Sequence, residues 1–135
     1  MPKRHLESEF IERFKAEVYR QHRNAFCYKI PDAFQTGLKP FDVILDTGVV
    51  RYLEFKWVDN NRLSFRPIDL FRPHQIRTLS LIQESKAYPC CYGVIQHKSK
   101  VFLIETRDFQ KECIRFDELD VYTLKQAVSL LCQNP

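Results

Sequence analysis

The chain has 135 residues (16.2 kDa), 44% hydrophobic and 28% charged, with eleven Phe, six Tyr and one Trp. Such aromatic content excludes a disordered or collagen-like chain, and the length suits one core, so a single domain over 1–135 is expected. The net charge of +4 comes from the first part, where residues 1–77 hold 14 Lys/Arg against 10 Asp/Glu while residues 78–135 hold 7 of each, a bias that suits an anionic partner.

Leu6, Phe10, Phe14 and Val18 recur at a spacing of four, which predicts an amphipathic helix over about 6–21. Ala25 to Ile30 reads as a strand that ends at Pro31, with a loop through Gly37 to Pro40. Phe41–Leu45 and Val49–Trp57 are β-favouring runs around the turn sequence Asp46-Thr47-Gly48, which predicts a hairpin. Residues 59–73 lack a period and are punctuated by Pro67 and Pro73, so an irregular loop of functional character is expected. Pro73 suits the first turn of a second helix, whose apolar face is Ile76, Leu79 and Ile82 and which runs to about Lys86. Tyr92–Gln96 and Val101–Thr106 form another strand pair, and Val121, Leu124, Val128 and Leu131 a closing helix after Asp120. The order is αβββαββα.

The longest apolar runs are strand-sized, far below the roughly 20 residues of a membrane helix. The N-terminal segment has no apolar centre of the signal-peptide kind. The expected location is therefore the cytoplasm, or a host cytoplasm if the chain is phage-encoded. Five cysteines, at 27, 90, 91, 113 and 132, form neither a Cys-x-x-Cys pair nor a cluster with paired histidines, so reduced and mostly buried thiols are expected.

The hairpin carries the chemistry. Glu54 and Lys56 alternate with Phe55 and Trp57 and so share one face of their strand. With the turn centred near Thr47, Asp42 falls opposite residue 52 and diagonal to Glu54, roughly 7–8 Å away. Charged residues often decorate the exposed face of a hairpin. Asp42, however, is followed by Val43, Ile44 and Leu45, and Glu54-Lys56 alternates with Leu53, Phe55 and Trp57, so both strands read as central, where charges need a purpose. Two carboxylates placed in this way suit a hard divalent cation, and a neighbouring ammonium can orient a nucleophilic water or stabilise charge on a phosphate. Phosphodiester hydrolysis is the natural reaction class.

Pro40-Phe41-Asp42, then Glu54-Phe55-Lys56, then His74-Gln75 opening a helix, together resemble the PD-(D/E)XK nuclease superfamily, and most closely its Holliday junction resolvases of the archaeal, phage or RecU-like type. The resemblance covers residues 6 to about 86. It implies a restriction-endonuclease-like α/β core, αβββαβ, with a mixed central sheet flanked by helices. It further implies Asp42 and Glu54 as ligands of Mg²⁺ or Mn²⁺, the Phe55 carbonyl and Glu7 as further ligands, Lys56 as the catalytic lysine, and Gln75 as the polar residue completing the site. Glu7, followed by Phe10, Ile11 and Phe14, fits the acid on the first helix of those resolvases, whereas Glu9 does not. The stretch from Ile30 to Lys39 differs from the Ser- and Arg-rich loop of archaeal-type resolvases, and the segment from Trp57 to Pro73 is too short for a RecU-type stalk.

Arg62, Arg66, Arg72 and Arg77, close to the helix that bears Gln75, are candidate phosphate contacts, and Lys3 and Arg4 extend the basic surface. The implied function is a metal-dependent endodeoxyribonuclease acting on branched DNA, most of all four-way junctions. Because such a junction has approximate two-fold symmetry, a homodimer is expected, with the closing helix or the 59–73 loop supplying the contact. The alternatives are a repair or restriction-like nuclease of the same superfamily that cuts flaps or duplex, and a catalytically inactive DNA-binding protein of the same fold.

Overall fold

The computed structural model describes residues 3–31 and 39–134, except for the side chains of Lys3 and Arg4. The expected loop from Pro31 to Pro40 therefore lies mostly outside the described residues.

Strands β1 (Phe26–Lys29), β2 (Val43–Asp46), β3 (Val50–Trp57), β5 (Cys91–His97) and β6 (Lys100–Glu105) form one sheet in the order β1-β2-β3-β5-β6. The β3–β5 pair is parallel and the other three are antiparallel, so the sheet is mixed, with β2, β3 and β5 inside it. Helix α1 (Lys3–Gln21) and the C-terminal helix α4 (Leu124–Leu131) pack on one face, and α3 (Pro73–Glu84) on the other. This is the expected α/β architecture. The parallel pair also bears on the site's position, because β3 and β5 are joined by a crossover that includes α3, and open α/β sheets place their sites toward the carboxyl ends of such strands.

Alternation along the strands sorts the core into two layers. Val43, Leu45, Leu53, Phe55 and Val94 meet Phe10, Phe14 and Val18 of α1 and Val128 and Leu131 of α4. Phe55 sits edge-on to both Phe10 (5.2 Å between centroids) and Phe14 (5.0 Å). On the opposite face, Ile95, Cys91 and Ile104 meet Leu79 of α3 and Phe71.

Three expectations need correction. The hairpin loop is Thr47-Gly48-Val49 with Asp46 opposite Val50, so it has the expected three residues but its centre lies one residue beyond Thr47; Gly48 takes a left-handed φ of 99° and donates its N–H to Asp46 Oδ1 at 2.8 Å. Residues 59–73 are not one irregular loop. Ser64–Phe65 (β4) pairs with Ile114–Arg115 (β7), and Pro67–Leu70 forms the short helix α2. Two residues leave no period to read, and the β4 partner lies some fifty residues downstream. Lastly, Val121 lies outside the closing helix and is exposed, since Thr123 rather than Asp120 caps α4 by accepting the Gln126 N–H (3.2 Å).

Four cysteines are buried and only Cys113 is exposed. Burial pushes the Cys27 and Cys132 thiols up to about 11, so neither carries much thiolate at pH 8. A thiol-disulfide reagent at pH 8 should therefore modify one thiol quickly in the native protein, and Cys113→Ser should abolish that fast phase; two or more fast thiols would contradict it. Among the described residues no helix is long and apolar enough to cross a membrane.

Candidate active site at the ends of the parallel strands

The hairpin register, extended by one residue from Val43–Leu53, sets Asp42 directly across from Glu54 rather than diagonal to it. Both side chains lie on the α3 face, as do Lys56 on β3 and Gln75 in the first turn of α3. Asp42 is 8% exposed, Glu54 2% and Gln75 7%. Burying two acids and an amide together is costly unless each is held, and each is.

Asp42 Oδ2 accepts the Phe55 backbone N–H at 2.8 Å, and its Oδ1 pairs with Lys39 Nζ at 3.0 Å. Glu54 Oε2 accepts from Gln75 Nε2 at 3.0 Å and pairs with Lys56 Nζ at 3.2 Å. Gln75 is itself oriented, since its Oε1 accepts the Arg72 backbone N–H at 3.1 Å. Lys56 Nζ also lies 5.8 Å over the Phe71 ring, within cation–π range. Burial, reinforced by the charge of Asp42, pushes the Glu54 carboxyl well above the usual carboxylate range, and Lys56 pulls only partly against it.

One atom is left over: Glu54 Oε1 is buried and accepts no hydrogen bond. A buried carboxylate oxygen beside a second carboxylate fits a hard divalent cation, which takes oxygen ligands and, in the case of Mg²⁺, usually one or two carboxylates. The Phe55 N–H points to the β2 side, and strand geometry directs the Phe55 carbonyl the same way, toward Asp42. Asp42, Glu54 and the Phe55 carbonyl are thus the residues that would hold such an ion.

Among the described residues, the structure brings Asp42, Glu54, Lys56 and Gln75 together. Glu7 approaches from α1 on the other side of the sheet, and its Oε2 accepts the Trp57 backbone N–H at 3.2 Å, at the end of β3. No set of three or more His, Cys, Asp or Glu side chains poised to share one ion occurs among the described residues. Glu9 is exposed and pairs with His5 at 3.0 Å. Arg62, Arg66, Arg72 and Arg77 are all exposed, and Arg66 pairs with Asp69 at 3.5 Å. The side chains of Lys3 and Arg4 lie outside the described residues.

Lys39 and Phe71 escaped sequence reasoning. The signal for Lys39 was its place three residues before Asp42; for Phe71 there was none, since its partners Gly93 and Lys56 are remote in sequence. His74 is a helix-start residue whose ring Nε2 lies 3.0 Å from the Lys39 carbonyl.

No protein-family model matches the chain, and no curated protein matches it by sequence. Among solved structures, the chain is similar to Hjc from Archaeoglobus fulgidus, a Holliday junction resolvase from an archaeal hyperthermophile. The TM-score is 0.56 at 11% sequence identity, over 91% of this chain and 98% of that one. At this identity the likeness establishes a shared fold.

Proposed function

We propose that the protein is a divalent-metal-dependent endodeoxyribonuclease of the PD-(D/E)XK kind that hydrolyses phosphodiester bonds in branched DNA, as a Holliday junction resolvase. The observation that carries this reading is the buried Asp42–Glu54 pair with its unpartnered Glu54 oxygen, set beside Lys56 on a fold shared with a resolvase.

When bound by Asp42, Glu54 and the Phe55 carbonyl, with Glu7 as a further acid from α1, Mg²⁺ or Mn²⁺ supplies charge neutralisation on the scissile phosphate and acidification of water. The chain's own residues do the rest. The Phe55 N–H and Lys39 fix the Asp42 carboxylate, and Gln75 fixes Glu54 from a helix start whose own N-cap backbone holds the amide. The ammonium of Lys56, whose side chain is only 12% exposed, lies beside Glu54 Oε2, where it can donate a hydrogen bond to the attacking water or to phosphate oxygens as charge builds up. The exposed Arg62, Arg66, Arg72 and Arg77 then serve as phosphate contacts that position the duplex arms without reading sequence. A homodimer gives two such sites for paired incision of a two-fold symmetric junction.

The test is incision of labelled four-way junction, flap and linear duplex, with and without Mg²⁺, by wild type, Asp42→Asn and Lys56→Ala. Symmetric, metal-requiring nicks in the junction that fall by about 10²–10⁴-fold in Lys56→Ala are expected. Equal cutting of all three DNAs would replace the resolvase with a general nuclease. Junction binding with no cleavage under either metal would leave a DNA-binding protein on a nuclease fold.

A further inference from the structure

A cavity of about 270 Å³ opens on the α3 face of the sheet beyond the carboxyl end of β5. Its floor is aromatic. His97 is buried and stacked on Phe116, with ring centroids 3.9 Å apart and planes at 12°. Its rim carries four cations, Arg62, Lys98, Lys100 and Arg115, against one acid, Asp117. That acid already pairs with Arg115 at 2.9 Å, while among the described residues no ion pair engages Arg62, Lys98 or Lys100.

The cations come from two chain segments that are tied together. Lys98 and Ser99 form the two-residue turn between β5 and β6, both with left-handed φ (51° and 62°), and Lys98 donates its backbone N–H to Asn60 Oδ1 at 3.2 Å. Arg62 closes the 59–62 turn through its own N–H to the Asp59 carbonyl at 3.1 Å. The cavity also adjoins the candidate site. Lys56 is in register with Ile95, so His97 lies one strand across and two residues on, roughly 8 Å between Cα atoms by strand spacing.

Phosphate contacts alone would need only the basic rim. The cavity adds an apolar wall, ending in two large aliphatic side chains left in solvent, Leu63 (69% exposed) and Val121 (53%). Paired duplex has no base face to offer such a wall, whereas an unstacked nucleotide offers a flat apolar face and a flanking phosphate together. We propose that this cavity receives one unstacked nucleotide at the branch point of the DNA bound at Lys56. The base lies between Leu63 and Val121 over the Phe116 floor, and Arg62, Lys98 and Lys100 hold its phosphates.

The inference rests on the reading of the chain as a nuclease for branched DNA and assigns the source of its preference for branches. Its test compares wild type, Lys98→Ala/Lys100→Ala and Leu63→Ser/Val121→Ser. Each is bound in EDTA to a four-way junction carrying 2-aminopurine at the branch and to a linear duplex of equal length, and oligomeric state is followed by light scattering. Wild type should raise the 2-aminopurine fluorescence. Both variants should lose about tenfold or more in junction affinity while duplex affinity changes by less than about threefold, and the Leu63/Val121 variant should lose the fluorescence rise. Equal losses on both DNAs would reduce the cavity to plain phosphate contacts, and a change in oligomeric state would make it an interface between copies; either overturns the proposal. Unchanged binding in both variants, while cleavage still requires Asp42 and Lys56, overturns the cavity and spares the nuclease reading. Wild type that binds neither DNA overturns both.

Discussion

Glu54→Gln is expected to make the protein more stable and inactive at once. Glu54 is 2% exposed, and its carboxyl has one oxygen without a partner and faces Asp42, so the folded state holds the charged form poorly. Burial and the Asp42 charge together outweigh the attraction of Lys56, which is the meaning of a carboxyl pushed above its usual range. Glutamine keeps the shape and one acceptor oxygen for Gln75 and Lys56, removes the charge, and offers an amide donor on the side of Asp42. A carboxyl held above its usual range lowers folded-state stability at neutral pH, so a neutral group of the same shape should recover on the order of 1 kcal/mol, provided this gain exceeds the loss of the Lys56 attraction. For a chain of this size each kcal/mol corresponds to about 4 °C in Tm. Cleavage should fall by about 10³-fold or more, because an amide cannot serve as an anionic ligand for a hard cation. Thermal unfolding in EDTA and a junction-cleavage assay read the two effects separately. A Glu54→Gln protein that melts lower than wild type in EDTA would show that Lys56 fully compensates the buried charge, and one that cuts normally would remove Glu54 from the site.

This opposition of stability and activity is also why the site was legible before the fold was known. A buried acid in a strand that reads as central is a local contradiction, and Asp42 and Glu54 each present one within a run of apolar neighbours. The helices α1 and α3 were equally legible, because Phe10, Phe14 and Val18, or Ile76 and Leu79, repeat often enough for a period to be seen. What escaped was non-local. The β4–β7 pair consists of two residues from each of two distant segments, and nothing inside Ser64-Phe65 signals a partner at Ile114-Arg115. The hairpin register differs from the expected one through a one-residue shift of a three-residue loop, since Asp46-Thr47-Gly48 and Thr47-Gly48-Val49 read equally well as the turn until the conformation of Gly48 is known. That step matters, because it moves Asp42 from a diagonal to a direct position opposite Glu54. The support beneath Lys56 was likewise unreadable, because Phe71 reaches it from a segment with no sustained pattern.

That support makes Gly93 the position where one methyl group should do the most damage. Gly93 pairs with Glu54 in the parallel β3–β5 register and lies on the same face of the sheet. A Cβ there would come within 2.6 Å of Phe71 Cζ and 2.9 Å of Ile104 Cγ1, closer than carbon atoms approach without displacement. Neither neighbour can step aside easily, since Phe71 is 1% exposed and Ile104 is fully buried. Phe71 also packs against Phe109, with centroids 5.0 Å apart. Overpacking of this kind costs about 1–3 kcal/mol, and a fixed ring against a strand backbone places Gly93→Ala at the upper end, a fall of about 10 °C in Tm. Relieving the collision should recover part of the loss: Phe71→Leu alone creates a gap, yet combined with Gly93→Ala it makes room for the added methyl. The double variant should therefore be more stable than the sum of the single effects by about 1 kcal/mol or more, a coupling expected only of residues in direct contact. Because the same ring underlies Lys56 Nζ at 5.8 Å, Gly93→Ala should also weaken cleavage at temperatures where the variant is fully folded. Thermal melts of the four proteins measure the coupling. Additive losses, or a Gly93→Ala protein as stable as wild type, would mean that the strand shifts freely enough to absorb the methyl and that Phe71 does not fix the Lys56 side of the site.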